Sequence, residues 1–179
     1  FTKLADIPAT GWVDLGSDPE RDGKMSSLPD ATRLEAIASA PDNMLWARIT
    51  LREPPHDRWM GVNLAVDVDG DPSNGFAWWG ANNHFKFDRL VTVWCFRVAG
   101  GCQGYIGLAD AADAASGTFV TGGGAQLRFA IDRDRRAFVV GVPRDLLKLP
   151  GREIRLVAAV GSALLYGDDV PGQGAATIR

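Results

Sequence analysis

The sequence predicts an all-β fold, a two-sheet antiparallel β-sandwich of jelly-roll type with one short helix near residues 143–147. Two observations favour this fold. The chain contains many short runs in which apolar and polar residues alternate, as they do in strands that are buried on one face. Clusters of Gly, Pro, Asp and Asn separate these runs, and such clusters are typical of turns. A closed β-barrel is the alternative that the same pattern allows.

Length and charge narrow the range of functions. The 179 residues are enough for a sizeable core, and we expect a single domain over 1–179. The formal net charge is −3 and the acidic and basic residues are interspersed. A nucleic-acid-binding surface would need a basic patch, so we expect no nucleic-acid partner. No apolar run approaches the roughly 20 residues of a membrane-spanning helix, so we expect no membrane span.

The elements follow from the turn residues that bound them. Residues 1–29 are rich in Asp, Gly, Pro and Ser, and we expect them to lie across the surface. In the strand at 44–51, alternate residues from Leu45 to Leu51 are apolar and share one face. Pro143 suits the first position of the predicted helix. The predicted strands are 32–38, 44–51, 59–67, 85–96, 105–108, 126–131, 136–142 and 153–160.

An acidic loop at residues 67–75 follows the strand at 59–67 and is the strongest candidate for a metal site. Asp67, Asp69 and Asp71 occupy alternate positions, so in an extended backbone their side chains point to the same side. Carboxylates at this spacing repel one another unless a cation or hydrogen-bond donors gather there. Oxygen ligands suit calcium, and we predict Ca²⁺ bound by these three residues.

The acidic loop is not an EF-hand. Counted from Asp67, the sixth position holds Pro72 where an EF-hand needs Gly, and the twelfth holds Trp78 where it needs Glu. The alternative to a metal site is a polar turn in which Gly70, Pro72 and Gly75 supply the bends. Both interpretations stay open at the level of the sequence.

The cysteines bear on where the protein acts. Cys95 and Cys102 flank a glycine-rich turn, so they can face each other across a hairpin, and we predict a disulfide between them. A disulfide would place the protein outside the cytosol, in an extracellular or periplasmic location. Two separate buried thiols are the alternative.

The order of four motifs resembles the DOMON-like superfamily of β-sandwiches, which includes family 9 carbohydrate-binding modules and the C-terminal domain of glucodextranase. Residues 42–49 resemble an acidic turn before a Leu-aromatic strand, and 67–75 resemble the Asp-x-Asp-x-Asn/Asp-Pro-x-Thr-Gly loop, although Asn74 stands where Thr is usual. Residues 138–147 resemble a strand, an Ile-Pro step and a short helix. Residues 167–171 resemble an Asp-x-x-Pro segment.

This resemblance implies a secreted or periplasmic two-sheet sandwich, in our expectation part of a longer protein, that binds a sugar, haem or calcium. It supports Asp67, Asp69 and Asp71 as calcium ligands, and it makes Asp168 and Asp169 candidates to approach the same loop.

The aromatic residues after the acidic loop are the candidate ligand-binding surface. Flat rings pack on the apolar faces of ligands while their edges stay hydrated, as sugar binding requires. Trp78 and Trp79 point to opposite faces of a strand, so one face receives only one of them. For each tryptophan the alternative is a place in the core. The predicted ligand-binding residues are Phe76, Trp78, Trp79, Asn82 and Arg89.

We therefore predict a non-catalytic binding domain for a carbohydrate or a similar polar ligand. Haem binding is the less favoured alternative, with His56, His84, Met44 and Met60 as candidate axial ligands. An enzyme of the same fold is the other alternative. No motif singles out a catalytic carboxylate pair, a serine nucleophile, a zinc site or a phosphate-binding loop.

Overall fold

The computed structural model describes residues 2–19, 22, 28–38, 41–55, 60–80, 84–98, 101–103, 106–110, 126–148, 153–162, 166–172 and 174–178. These residues form two main antiparallel sheets that pack face to face, so the predicted all-β sandwich is confirmed. In the part of the chain described here, no helix is both long and apolar enough to cross a membrane.

The strands are short, as the spacing of the turn residues predicts. A 3-10 turn, Leu4–Asp6, precedes them, and the short helix α1 (Arg144–Leu147) follows the eleventh strand. In chain order the strands are β1 (Val13–Ser17), β2 (Ala31–Ile37), β3 (Met44–Leu51), β4 (Met60–Asp67), β5 (Phe76–Ala77), β6 (Lys86–Phe87), β7 (Arg89–Val98), β8 (Gly101–Gln103), β9 (Ile106–Asp110), β10 (Arg128–Asp132), β11 (Ala137–Pro143), β12 (Ile154–Ser162), β13 (Tyr166–Val170) and β14 (Ala176–Ile178).

Non-sequential strands meet in both sheets. The first sheet has the order β1-β2-β3-β11-β10, and the second has the order β13-β12-β4-β7-β8. In the second sheet β14 also pairs with β12, and β9 also pairs with β7. The hairpin of β5 and β6 forms a separate pair. This topology leaves β1 and β13 as the edge strands at one side of the sandwich.

The main core lies between the two sheets and is built by alternation along the central strands. Leu45, Ala47, Ile49 and Leu51 of β3 are all buried in it, which confirms the predicted inner face. β11 contributes Phe138, Val140 and Val142 in the same way, and β4 and β12 supply the facing residues. Such alternation is what two packed sheets require.

Both sheets also bury their outer faces. Ile7 and Trp12 from the N-terminal segment pack on the outer face of the first sheet, over a cluster that includes Trp46 and Val139. The β5–β6 hairpin and its flanking residues cover the outer face of the second sheet, where Trp78, Phe85 and Phe87 pack on Ala65, Leu90, Val157 and Ala159. The sandwich therefore has an apolar layer outside each sheet as well as between them.

The N-terminal segment contains a strand that the sequence did not predict, although most of its residues are exposed or half-exposed, as a surface segment requires. Residues 13–17 form β1, which pairs with β2 through Val13 opposite Ala36 and Ser17 opposite Arg33. Asp14 and Gly16 obscure this strand in the sequence because both residue types are poor strand formers, and the register shifts between them. The C-terminal strand β13 was likewise not expected, since Gly167 and two Asp residues resemble a turn. Pro143 occupies the N-cap position before α1 and not the first helical position that was predicted for it.

Candidate functional site

Asp67, the last residue of β4, begins the acidic loop and already has two partners. Its side chain is buried, and Oδ1 accepts a hydrogen bond of 2.7 Å from the backbone N–H of Gly70. Its Oδ2 accepts a hydrogen bond of 2.7 Å from Nε of Arg155, which lies opposite Asp67 in the register of β4 and β12. This buried charge is therefore paired within the second sheet.

Asp69 and Asp71 are exposed and are held by donors of the loop itself. Oδ1 of Asp69 accepts from the backbone N–H of Asp71 at 2.9 Å, and Oδ2 accepts from Nδ2 of Asn74 at 3.1 Å. Oδ1 of Asp71 accepts from the backbone N–H of Ser73 at 2.8 Å and from its Oγ at 2.6 Å. These hydrogen bonds lower the pKa of both carboxyl groups. The loop has the donors that a polar turn needs.

The carboxylates that come together at the acidic loop differ by one residue from the predicted set. Asp67, Asp69 and Asp88 place one oxygen each within 4.8 Å of the others, and Asp71 is not in this group. Asp88 precedes β7, and its Oδ2 accepts a hydrogen bond of 3.0 Å from the backbone N–H of Val68. Burial raises the pKa of Asp88. We call these three residues the loop cluster, and their oxygens suit calcium, which stays a prediction there.

A second acidic group, which the sequence did not reveal, lies at the side of the sandwich. Asp18, Asp22 and Asp168 each place an oxygen within 4.8 Å of the others, and we call them the seam cluster. Asp168 therefore does not join the acidic loop, as the resemblance suggested, but lies in β13 with its Oδ2 accepting from the backbone N–H of Ala31 at 2.8 Å. Asp168 is far from Asp18 and Asp22 in the sequence, so spacing could not have revealed the cluster.

The two tryptophans after the acidic loop have opposite environments. Trp78 is 2% exposed, and its indole Nε1 donates a hydrogen bond of 2.8 Å to Oδ2 of Asp169 in β13. Trp79 is 47% exposed. The two ring centroids lie 4.3 Å apart with an angle of 30° between the planes, and the edge of Phe87 meets both rings. Trp79 is thus an exposed ring supported by a buried one.

Gly80 completes the support of this aromatic pair. A Cβ at this position would lie 2.4 Å from both carboxylate oxygens of Asp169 and 2.5 Å from Nε1 of Trp78. Only glycine leaves the chain room to pass over the hydrogen bond between Trp78 and Asp169. The sequence signal for this site is the Trp78-Trp79-Gly80 triplet, but Asp169 is contributed from a distant strand.

The other predicted ligand-binding residues lie nearby or outside the described residues. Phe76 is half-buried, with its ring edge-to-face on Phe87 at 5.7 Å. Arg89 is half-buried at the start of β7 and donates a hydrogen bond of 3.0 Å to the backbone carbonyl of Asp88. Asn82 lies outside the described residues.

The predicted disulfide and haem ligands are only partly placed. The register of β7 and β8 puts Cys102 opposite Arg97 rather than opposite Cys95, and the side chains of both cysteines lie outside the described part, so the disulfide stays a prediction. His84 is exposed in the connection between β5 and β6, and Met44 is buried at the start of β3 in the other sheet. His56 and the side chain of Met60 are outside the described residues.

Comparison of the chain with protein-family profiles, curated proteins and solved structures finds no match. The resemblance to DOMON-like sandwiches therefore stays an expectation. The acidic clusters and the Trp78–Trp79 pair are the features of the molecule that point to a function.

Proposed function

We propose that this protein is a non-catalytic, extracellular or periplasmic binding domain that recognises a carbohydrate or a similar polar ligand through Trp79. The observation that carries the proposal is the exposure of Trp79, 47% of which faces solvent although the ring stacks on a buried neighbour. A large aromatic ring that is exposed on one face and held against a buried ring on the other offers a flat apolar surface on which a ligand can pack.

The support beneath Trp79 favours binding. Trp78 is held by packing against Phe87 and by the hydrogen bond to Asp169, so the stacked Trp79 ring has a fixed platform beneath it. A ring that is ordered before the ligand arrives loses less conformational entropy on binding. The C–H face of a sugar ring packs well on such a flat surface, while its hydroxyl groups remain available to polar side chains.

The acidic loop leads directly into the hairpin that carries Trp79. The acidic loop enters β5 directly before Phe76, and its exposed carboxylates Asp69 and Asp71 can accept hydrogen bonds from hydroxyl groups. Lys86 in β6 donates a hydrogen bond of 2.9 Å to the backbone carbonyl of Ser73, which ties the acidic loop to the hairpin. An aromatic ring beside fixed polar groups is a common arrangement in sites for small polar ligands. The predicted calcium ion is not required for this proposal.

The test is a binding screen with Trp79→Ala. The wild-type protein is expected to be retarded in native gels that contain one or more soluble polysaccharides, and titration of the matching oligosaccharide gives a dissociation constant. Trp79→Ala is expected to weaken that affinity about tenfold or more, which corresponds to a loss of about 1.4 kcal/mol.

Val13→Ala is the matched control, because Val13 is also an exposed apolar residue, at 53%, but lies on β1 in the other sheet. It is expected to leave the affinity unchanged. Unchanged affinity in Trp79→Ala would contradict the proposal, as would failure of the wild-type protein to bind any glycan in a broad array.

A further inference from the structure

The seam cluster lies where the edges of the two sheets meet. Asp18 follows β1 and Asp168 lies in β13, so the first sheet and the second sheet each contribute to it. The hydrogen bond from Ala31 of β2 to Asp168 crosses the same boundary. Gly16 of β1 also approaches the C-terminal segment, since a Cβ there would lie 3.2 Å from Cβ of Pro171. A bound group at this position would contact both sheets.

Asp18 is the unusual member of the seam cluster. The residue is 6% exposed, and neither of its carboxylate oxygens accepts a hydrogen bond in the part of the chain that the structure describes. Buried polar atoms in folded proteins are nearly always satisfied, so a buried carboxylate without donors needs an explanation. An ion bound between Asp18 and its acidic neighbours would supply one.

The backbone after β13 passes close to the carboxylate of Asp18. A Cβ at Gly172 would lie 1.4 Å from Oδ1 of Asp18, so only glycine leaves space for the carboxylate there. The loop after β13 thus holds the Asp18 oxygens close to Asp168 instead of letting them turn to solvent. This close approach is separate evidence from the acidic composition of the cluster.

Within the described residues, no Lys or Arg forms an ion pair with Asp18, Asp22 or Asp168, so no basic side chain of this part of the chain balances the charges of the seam cluster. Asp30 is close enough to add to the repulsion, but its own partner is Arg52, whose Nε lies 2.9 Å from Oδ2. Asp18 and Asp168 are both buried, and their oxygens lie within 4.8 Å of each other, so two ionised carboxylates there repel each other unless a proton or a cation is bound.

We propose that Asp18, Asp22 and Asp168 bind a calcium ion that joins the edges of the two sheets. The metal ligands in this site are all carboxylate oxygens, which suit Ca²⁺. The site has none of the nitrogen and sulfur ligands that zinc selects. The loop cluster is a weaker candidate, because the oxygens of Asp67 and Asp69 already accept hydrogen bonds from the loop and from Arg155. The seam site is independent of ligand recognition by Trp79.

The test measures calcium binding and thermal stability together. The protein is freed of metal with EDTA, exchanged into chelator-free buffer and titrated with CaCl₂ by calorimetry, and its melting temperature is recorded with and without the ion. A ligand that binds only the folded state raises the melting temperature, so the wild-type protein is expected to melt higher in Ca²⁺. Asp18→Asn and Asp168→Asn are each expected to weaken the affinity of the seam site about 10- to 100-fold or more.

Asp18→Asn has a second expected signature. The amide carries no charge, so in EDTA, and at a pH high enough to ionise the carboxylates of the seam cluster, this variant is expected to melt higher than the wild-type protein, although calcium no longer raises its melting temperature. Gly172→Ala keeps every ligand but displaces Asp18, and it is also expected to weaken calcium binding. Asp18→Asn removes a ligand charge and Gly172→Ala displaces the ligand, so the proposal requires that both variants bind calcium more weakly than the wild-type protein.

Asp69→Asn separates the seam site from the loop cluster. It is expected to keep the calcium-dependent rise in melting temperature that Asp18→Asn loses. Loss of the rise in Asp69→Asn with its retention in Asp18→Asn would overturn the proposal, and so would a wild-type protein that binds no calcium. Glycan binding by Trp79 is measured separately, so failure of one proposal does not imply failure of the other.

Discussion

Asp132 and Asp18 are both buried carboxylates, but they have opposite surroundings. Asp132, the last residue of β10, accepts a hydrogen bond of 3.0 Å from the backbone N–H of Arg135 and one of 2.9 Å from its guanidinium. Burial alone would raise the pKa of Asp132, but these two bonds, the charge of Arg135 and a hydrogen bond from the backbone N–H of Asp134 together outweigh it, and the pKa is lowered. Asp18 is buried and has no such donor among the described residues, and burial raises its pKa to about 8. Local donors therefore decide the chemistry of each carboxylate.

We expect Asp132→Ala to destabilise the protein at neutral pH. Because the folded pKa lies below the unfolded value, the stabilisation by Asp132 is present above the unfolded pKa and is lost as the pH falls through the folded pKa. The Arg135 side chain is 66% exposed, so solvent screening reduces the effect. We expect a loss of about 1 to 2 kcal/mol in the free energy of unfolding at pH 7, measured by urea denaturation.

The control for Asp132→Ala is Asp134→Ala, a change of an exposed carboxylate in the same turn. It is expected to have little effect at any pH. The difference between Asp132→Ala and the wild-type protein is expected to shrink as the pH is lowered below about 4, near the unfolded pKa of an aspartate. A difference that stays constant down to pH 2 would show that charge at Asp132 is not the cause.

The candidate sites were predictable from the sequence only where their residues are neighbours in the chain. Alternate spacing identified Asp67 and Asp69, because a strand end places such residues together. Asp88 and the whole seam cluster were missed, since strand pairing brings their residues together from distant positions. Trp78 is buried and Trp79 is exposed because of the way the β5–β6 hairpin packs on the second sheet. The residue composition of this segment does not determine that packing.

At the scale of elements, the acidic loop and the β5–β6 hairpin form one unit that carries Trp79. Gly70 and Gly75 both have positive φ, at +72° and +81°, but only Gly75 is crowded. A Cβ at Gly75 would lie 2.8 Å from the backbone oxygen of Phe87 in β6, whereas a Cβ at Gly70 would meet nothing within 4 Å. The acidic loop therefore lies in close contact with the hairpin at Gly75, the last residue of the loop, but not at Gly70 in the middle of the loop.

This pair of glycines gives a matched test of that contact. Gly70→Ala is expected to cost about 1 to 2 kcal/mol of unfolding free energy from backbone strain alone. Gly75→Ala adds a clash with backbone and is expected to cost about 1 to 3 kcal/mol more. Denaturation of both variants measures the difference, and equal losses would mean that the close approach to Phe87 does not constrain the loop.

Element prediction succeeded for strands whose pattern is local. β3 begins and ends where the alternation of its residues predicts, and β11 lies within one residue of its predicted bounds. β1 and β13 were missed because edge strands rich in Gly and Asp are stabilised by pairing with β2 and β12 rather than by their own residues.

At the scale of the whole molecule, apolar residues form a layer between the sheets and a layer outside each of them. The central layer has the most buried side chains. Phe138 is fully buried there and stacks on Phe129 at 5.8 Å, whereas Trp12 only partly covers the outer face of the first sheet. The central layer should therefore dominate the stability of the sandwich.

We expect Phe138→Ala to lower the free energy of unfolding by about 3 to 5 kcal/mol, because it leaves a cavity between the sheets. Trp12→Ala is the comparison and is expected to cost about 1 to 2 kcal/mol, since its ring loses less buried area. Chemical denaturation gives both values. A larger loss in Trp12→Ala would mean that the N-terminal segment contributes more to the fold than the central layer does.

The stacking of Trp79 on Trp78 also has an optical consequence. Two indole rings held 4.3 Å apart have coupled electronic transitions, so the pair contributes a circular dichroism signal that isolated tryptophans lack. One chromophore of the pair is fixed inside the protein and the other faces solvent. The molecule thus carries its own label-free reporter at the surface where we propose that a ligand binds, and any change in the angle between the rings alters that signal directly.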